Sequence, residues 1–350
     1  MAEADQAAHY SAAHEATRNL RAVSGILLVM LAVVVATLGL RQARATSSGT
    51  GAATPGSVEL SVSHGVRQAA GLVSRHERVV AEHALLEVDP ELIDTSAEAV
   101  LKTHVSGAGV SSTAPLGFSQ TSEAIALDQA IADFEAHDYV LGFALVDVGT
   151  GRGLSYNADE PRYPASSIKA AFCTMVYEQN GPVSEGLVAP CIIESSNEAY
   201  HALSREYGQQ AFADWLAPMA PEAAEDAAEH LYPWISPREF LVVWQEIYRF
   251  GTSGEPGSAE LAGYLSQTST SAWGELLRDE WEVWDKAGWY PTTTERATCD
   301  CGVIFSDCGP YVVVVMSDAP EDFEALKPVL DAINVAHGKM CGGSTESHLS

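Results

Sequence analysis

Positive charge is scarce in this 350-residue sequence: 19 Lys and Arg stand against 47 Asp and Glu, a formal net charge of −28. A field of that sign and size repels phosphate backbones and anionic headgroups, which argues against nucleic acid as a partner. Lysine is rarest of all, confined to Lys102, Lys169, Lys286, Lys327 and Lys339. Cysteine is also sparse, with six residues, too few to act as the framework of a disulfide-stapled miniature fold. No internal repeat is present. What is plentiful is apolar: hydrophobic residues make up 47% and charged residues 19%, the composition of a globular chain. The length allows one or two domains with a sizeable core.

Long apolar runs are missing, with one exception. Residues 22–40, AVSGILLVMLAVVVATLGL, carry no charge. At about 1.5 Å per helical residue they nearly match a hydrocarbon core of roughly 30 Å. Residues 1–21 then form a short cytoplasmic head and 22–40 a transmembrane anchor, with the remainder at the cell surface as a single-pass membrane protein. Arg18 and Arg21 before the run balance Arg41 and Arg44 after it, so the basic residues give no orientation. Ala43 and Ala45 form a competing cleavage signal, and cleavage after Ala45 gives a secreted protein instead. Residues 41–119 read as linker and helical stalk. Those from 43 to 58 are rich in small and polar residues, 59–104 show helical spacing of Val62, Val66, Ala69 and Val73, and 105–119 form a second linker. His76 and His83 lack a third ligand, and neither a metal nor a cofactor is expected.

The main domain is expected over 120–341, with 342–350 as a tail. A helix over 122–136 precedes a hairpin of strands, 139–147 and 153–157. Helices follow over 166–178, 198–218 and 237–250, then strands over 280–286, 301–306 and 311–317. Tyr311 to Met316 is a continuous apolar run, the mark of a strand buried on both faces. A helix over 321–337, kinked or split at Pro328, closes the domain. This order predicts an α+β fold: a five-stranded antiparallel sheet flanked by helices, with a reduced all-helical lobe inserted between its second and third strands.

Three short elements carry chemistry. Ser166 and Lys169 are spaced to share one helix face, and an apolar helix body can lower the lysine's pKa until it serves as a base for the hydroxyl. Ser195-Ser196-Asn197 opens a second helix, where Ser195 can relay a proton and Asn197 can hold an amide. Lys286-Ala287-Gly288 ends a strand, where the cation can meet a carboxylate and Gly288 lets backbone come close. Each element also has a plain structural reading, as helix cap or strand end.

Their order and setting together resemble the penicillin-recognising serine hydrolases, class A serine β-lactamases and penicillin-binding D,D-peptidases, whose three elements are S-x-x-K, S-x-N and K-T-G. The resemblance covers residues 120–340. It implies acyl-enzyme chemistry on a β-lactam or a peptidoglycan peptide, with Ser166 as nucleophile, Lys169 as its base, Ser195 passing the proton on and Asn197 orienting Lys169 and substrate. Lys286 would stabilise a substrate carboxylate, and the amides of Ser166 and Trp289, the residue after Gly288, would form the oxyanion hole. It also implies a Cys173–Cys191 disulfide, while Cys299, Cys301, Cys308 and Cys341 allow three pairings. The chain departs from the pattern in two places. Ala287 replaces the usual Thr, and the segment 217–232 holds Glu222, Glu225, Asp226 and Glu229 without the family's E-x-x-x-N. These departures leave an alternative in view, a catalytically weak or inactive penicillin-binding-like sensor or scaffold.

Overall fold

A computed structural model describes residues 93–182, 185–292 and 295–349. All of them belong to one compact unit, 88–350. The described residues form an α+β fold in which helices cover both faces of an antiparallel sheet. The sheet has seven strands, β1 (Leu101–Val105), β2 (Ser111–Pro115), β3 (Leu141–Asp147), β4 (Gly153–Tyr156), β5 (Glu282–Tyr290), β6 (Ala297–Ser306) and β7 (Gly309–Ser317), in the order β1-β2-β4-β3-β7-β6-β5. Five of these correspond to the expected sheet. The other two are a hairpin within the stretch read as stalk and linker, and it extends the sheet beyond β4 through the register Ser111↔Ser155 to Thr113↔Gly153. In β2, Ser112 and Ala114 are buried between half-buried Ser111 and Thr113. That is strand alternation written in small residues, which a hydrophobic pattern does not show.

The helices are α1 (Ser122–Glu135), α2 (Lys169–Asn180), α3 (Glu185–Ile193), α4 (Asn197–Tyr207), α5 (Gln209–Leu216), α6 (Pro221–Ala227), α7 (Pro237–Thr252), α8 (Ser258–Leu265), α9 (Ala272–Leu277) and α10 (Phe323–Cys341). Gly208, at a φ of 88°, divides the expected 198–218 helix in two. Pro328 lies inside α10 and does not split it. Its missing N–H removes one ladder bond, to the Glu324 carbonyl, while Leu326, Val329 and Leu330 around it are buried and hold the helix in place. Ser236 caps α7, accepting from the Glu239 amide at 3.2 Å, with Pro237 in the first turn.

Two cores explain the strand pattern. Val312, Val314 and Met316 of β7 face α2 to α8, and Tyr311, Val313 and Val315 face α1, α9 and α10. Each such side chain contributes roughly 1.5–3 kcal/mol on burial. Helix α2 lies at the centre of the first core, with every residue from Lys169 to Tyr177 buried.

Two expectations are corrected. Among the described residues no helix is long and apolar enough to cross a membrane. The longest, α10, has 19 residues but carries Glu324, Lys327, Asp331 and Lys339. The segment 22–40 lies outside the described residues, so the fold stands without its expected transmembrane helix, and neither a membrane partner nor a cell-membrane location is carried further. The cysteines are corrected as well. All six are free thiols, and Cys173 and Cys191 meet through a hydrogen bond rather than a disulfide.

Candidate active site

The sequence elements 166–169, 195–197 and 286–289 converge where α2, α4 and β5 meet. Ser166 lies on a 3-10 turn, Ala165–Ile168, that runs directly into α2. The turn is held by the Ser167 hydroxyl, which donates to the Pro164 carbonyl at 2.7 Å. Ala165 adopts a left-handed φ of 46°. Such a conformation costs a non-glycine residue on the order of 1–3 kcal/mol and persists only where its surroundings enforce it. Among the described residues the half-buried Ser166 hydroxyl has no hydrogen-bond partner.

Lys169, in the first turn of α2, is fully buried. Its ammonium donates to the Ser195 carbonyl at 2.6 Å and to Asn197 Oδ1 at 2.6 Å, and stands 3.5 Å from Ser195 Oγ. From the other side Lys286 donates to Ser195 Oγ at 3.0 Å and to the Ala287 carbonyl at 2.9 Å. Ser195 thus bridges two buried lysines, and it too holds a left-handed φ, 57°. Burial lowers Lys169 to about 8, with the like charge of Lys286 helping, and burial lowers Lys286 to about 8. Among the described residues no carboxylate hydrogen-bonds to the Lys169 ammonium.

Gly288 explains how the nucleophile turn and the strand come together. A Cβ there would lie 2.4 Å from the Pro164 carbonyl, 2.5 Å from the Ser167 amide and 2.8 Å from the Ser166 amide. Backbone therefore packs on backbone, and the Ser166 N–H sits beside the strand segment that continues into Trp289. The strand does not end at Lys286, as the sequence reading had it, but runs on to Tyr290. Ala287 is fully buried opposite Asp300 of β6, where a bulkier, hydroxylated residue would need space and a partner.

Several site residues escaped the sequence reading. The Tyr232 hydroxyl donates to Asn197 Oδ1 at 3.2 Å, the same oxygen that Lys169 grips. The Lys169 ammonium lies 5.7 Å from the Tyr200 ring centre, and Lys286 lies 5.9 Å from that of Trp289. Tyr163 packs against Tyr232, Trp234 and Tyr290 at 6.2, 6.4 and 6.0 Å, an aromatic wall beside the strand end. Behind β5, Asp285 accepts from Thr268 at 2.7 Å, from Ser271 and from Arg278 at 2.5 Å. Asp300 Oδ2 accepts the Ala272 amide at 2.7 Å and the Trp273 amide at 3.0 Å. Burial, reinforced by the nearby Asp285 carboxylate, pushes Asp300 well above its ordinary value. No local motif marks this pair, because its members come from two strands.

Of the four acids in 217–232, Asp226 is tied to His230 at 2.6 Å and to the Trp234 amide at 2.7 Å. Glu222, Glu225 and Glu229 are exposed. Among the described residues the one His, Asp and Cys group with metal-ligand spacing, Asp147, His337 and Cys341, involves α10, which packs on the sheet face opposite α2.

Comparison with known proteins bears on the fold. A family model described as β-lactamase enzyme family matches residues 183–334, a span that takes in the second and third elements but not Ser166 and Lys169. No curated protein matches the sequence. A β-lactamase from Sphaerobacter thermophilus DSM 20745 is 18% identical with a TM-score of 0.52, over 62% of this chain and 97% of that one. A β-lactamase from Desulfarculus baarsii DSM 2075 is 17% identical with a TM-score of 0.50, over the same 62% and 97%. The domain therefore has a β-lactamase-superfamily fold.

Proposed function

We propose that the domain is a serine hydrolase that acts by acyl-enzyme formation at Ser166 on a β-lactam or a cell-wall peptide amide. The observation that carries this reading is the pair of buried lysines on either side of Ser195, one of them a turn from Ser166. Lys169 in its neutral form accepts the Ser166 proton as Oγ attacks the carbonyl carbon. The tetrahedral oxyanion is met by the Ser166 amide and the amide of Trp289; one such donor commonly contributes about 3–4 kcal/mol in the transition state. Collapse breaks the C–N bond, and Ser195, between Lys169 and Lys286, hands the proton to the leaving nitrogen. Lys286 in its charged form meets a substrate carboxylate, and Asn197 holds Lys169 and a substrate amide. The fold likeness to two β-lactamases supports the substrate class.

Deacylation is the weaker half. Among the described residues no carboxylate hydrogen-bonds to Lys169, and the acids of 217–232 are exposed or engaged elsewhere. This favours, as a second reading, a slow acyl-enzyme that works as a sensor or scaffold. A fluorescent penicillin and intact-mass measurement separate the readings. An adduct that forms and decays marks a hydrolase, and one that persists marks the sensor. Ser166→Ala should acquire no acyl mass, and Lys169→Ala should slow acylation by about 10²–10⁴-fold. Acylation of the Ser166 variant at the wild-type rate overturns both readings.

A further inference from the structure

Four metal-ligating side chains from three separate elements meet on the sheet face away from α2. Asp147 closes β3, His337 and Cys341 stand one turn apart on α10, and Cys308 lies in the turn between β6 and β7. Asp147 and His337 are buried, and the two thiols are half-buried. His337 Nε2 is 3.0 Å from Asp147 Oδ2, and the ligand atoms of Asp147, His337 and Cys341 all lie within 4.8 Å of one another. Cys308 Sγ is 3.9 Å from His337 Nδ1 and in hydrogen-bond contact with Cys341. Bonds of about 2.0 Å to N or O and 2.3 Å to S place tetrahedral ligand atoms roughly 3.3–3.8 Å apart. Asp147, His337 and Cys341 stand near that spacing, whereas Cys308 faces the Nδ1 side of the ring and joins the same ion only by a change of its side-chain rotamer.

We propose that Asp147, His337, Cys341 and Cys308 form a structural site for a thiophilic divalent ion of the zinc type. The donor set, two sulfurs with one nitrogen and one oxygen, suits that class of metal. The surrounding contacts orient it. Asp147 Oδ1 is taken by the Thr150 amide at 2.7 Å and the Thr150 hydroxyl at 2.6 Å, which leaves Oδ2 for the ion. Such outer contacts fix the direction of metal ligands. Charge also closes. Asp147 and two thiolates bring three negative charges, and a divalent ion with the Arg152 guanidinium brings three positive ones. Arg152 is buried next to the cluster, donating to the Met340 carbonyl at 2.7 Å and the Thr95 carbonyl at 2.9 Å. Gly343 lies against Cys308, where a Cβ would be 2.8 Å from its sulfur, so the chain after α10 covers the site. The ion ties the end of β3, the β6–β7 turn and the end of α10 together.

The test is titration of the reduced full-length protein with Co²⁺, followed by Zn²⁺. One equivalent of cobalt should bind with a thiolate-to-cobalt charge-transfer band, zinc should displace it, and the melting temperature should rise with zinc. Cys341→Ser should abolish the band. Cys308→Ser, in a half-buried turn that tolerates the change, should lower its intensity and weaken binding about tenfold or more, while labelling of Ser166 is unchanged. A reduced protein with no thiolate–cobalt band overturns the proposal. So does a Cys308→Ser variant that binds cobalt with the wild-type spectrum and affinity.

Discussion

At the residue scale the site is an arrangement of cations kept from water. Lys169 and Lys286 sit near 8 rather than 10.5 because burial disfavours their charged forms. The sign for catalysis follows. Acylation needs Lys169 neutral, so its rate should fall about tenfold for each pH unit below about 8. Removing the neighbouring charge in Lys286→Ala raises the Lys169 pKa, which should move the acid limb of the profile to higher pH; stopped-flow acylation against pH measures it, and an unmoved limb would mean that Lys286 does not bear on the base. Gly288→Ala should cost acylation and at least 1–3 kcal/mol of stability, because the new methyl meets main chain that cannot rotate away. The buried acid pair makes a contrast. Asp300→Asn removes a carboxyl beside Asp285 while its amide oxygen can still accept the Ala272 and Trp273 N–H groups, and should cost under about 1 kcal/mol, whereas Asp285→Asn weakens the partner of Arg278 and should cost about 2–3 kcal/mol, both read from urea midpoints. Ser166, Lys169, Ser195, Asn197, Lys286 and Gly288 were legible because each sits in a three- or four-residue element whose spacing carries meaning. Tyr232, Asp300 and the Asp147 cluster were not, since each acts through a partner far away in the chain.

At the element scale, legibility followed side-chain size. The run from Tyr311 to Met316 announced β7, and Ser236-Pro237 announced the start of α7. Strands β1 and β2 were hidden, because β2 buries Ser112 and Ala114 and β1 buries nothing. What fixes that hairpin is polar. The Ser106 hydroxyl donates to Asp128 of α1 at 2.7 Å and accepts the Val110 amide at 3.1 Å across the turn. Ser106→Ala should therefore destabilise the domain by about 1–2 kcal/mol with acylation unchanged. Hydrogen exchange should quicken first in β1 and β2; an unchanged exchange pattern would show that the hairpin is held by the ladder alone.

At the scale of the whole molecule, the sheet covered on both faces accounts for the apolar part of the composition. One feature of the sheet bears on how copies of this chain behave towards one another. The outermost strand, β1, is exposed along its whole length and shows Leu101 and Val105 to solvent. Among the described residues nothing pairs with its outer side, and an edge of this kind is a template for strand pairing between molecules. At neutral pH a charge of −28 keeps the chains apart. That protection disappears near the isoelectric point of about 4.6. Colloidal stability should therefore collapse in mild acid, with light scattering rising sharply there in concentrated solution. Val105→Lys, which places a charge on the edge itself, should narrow that zone of turbidity, and scattering identical to the wild type would assign the association to another surface.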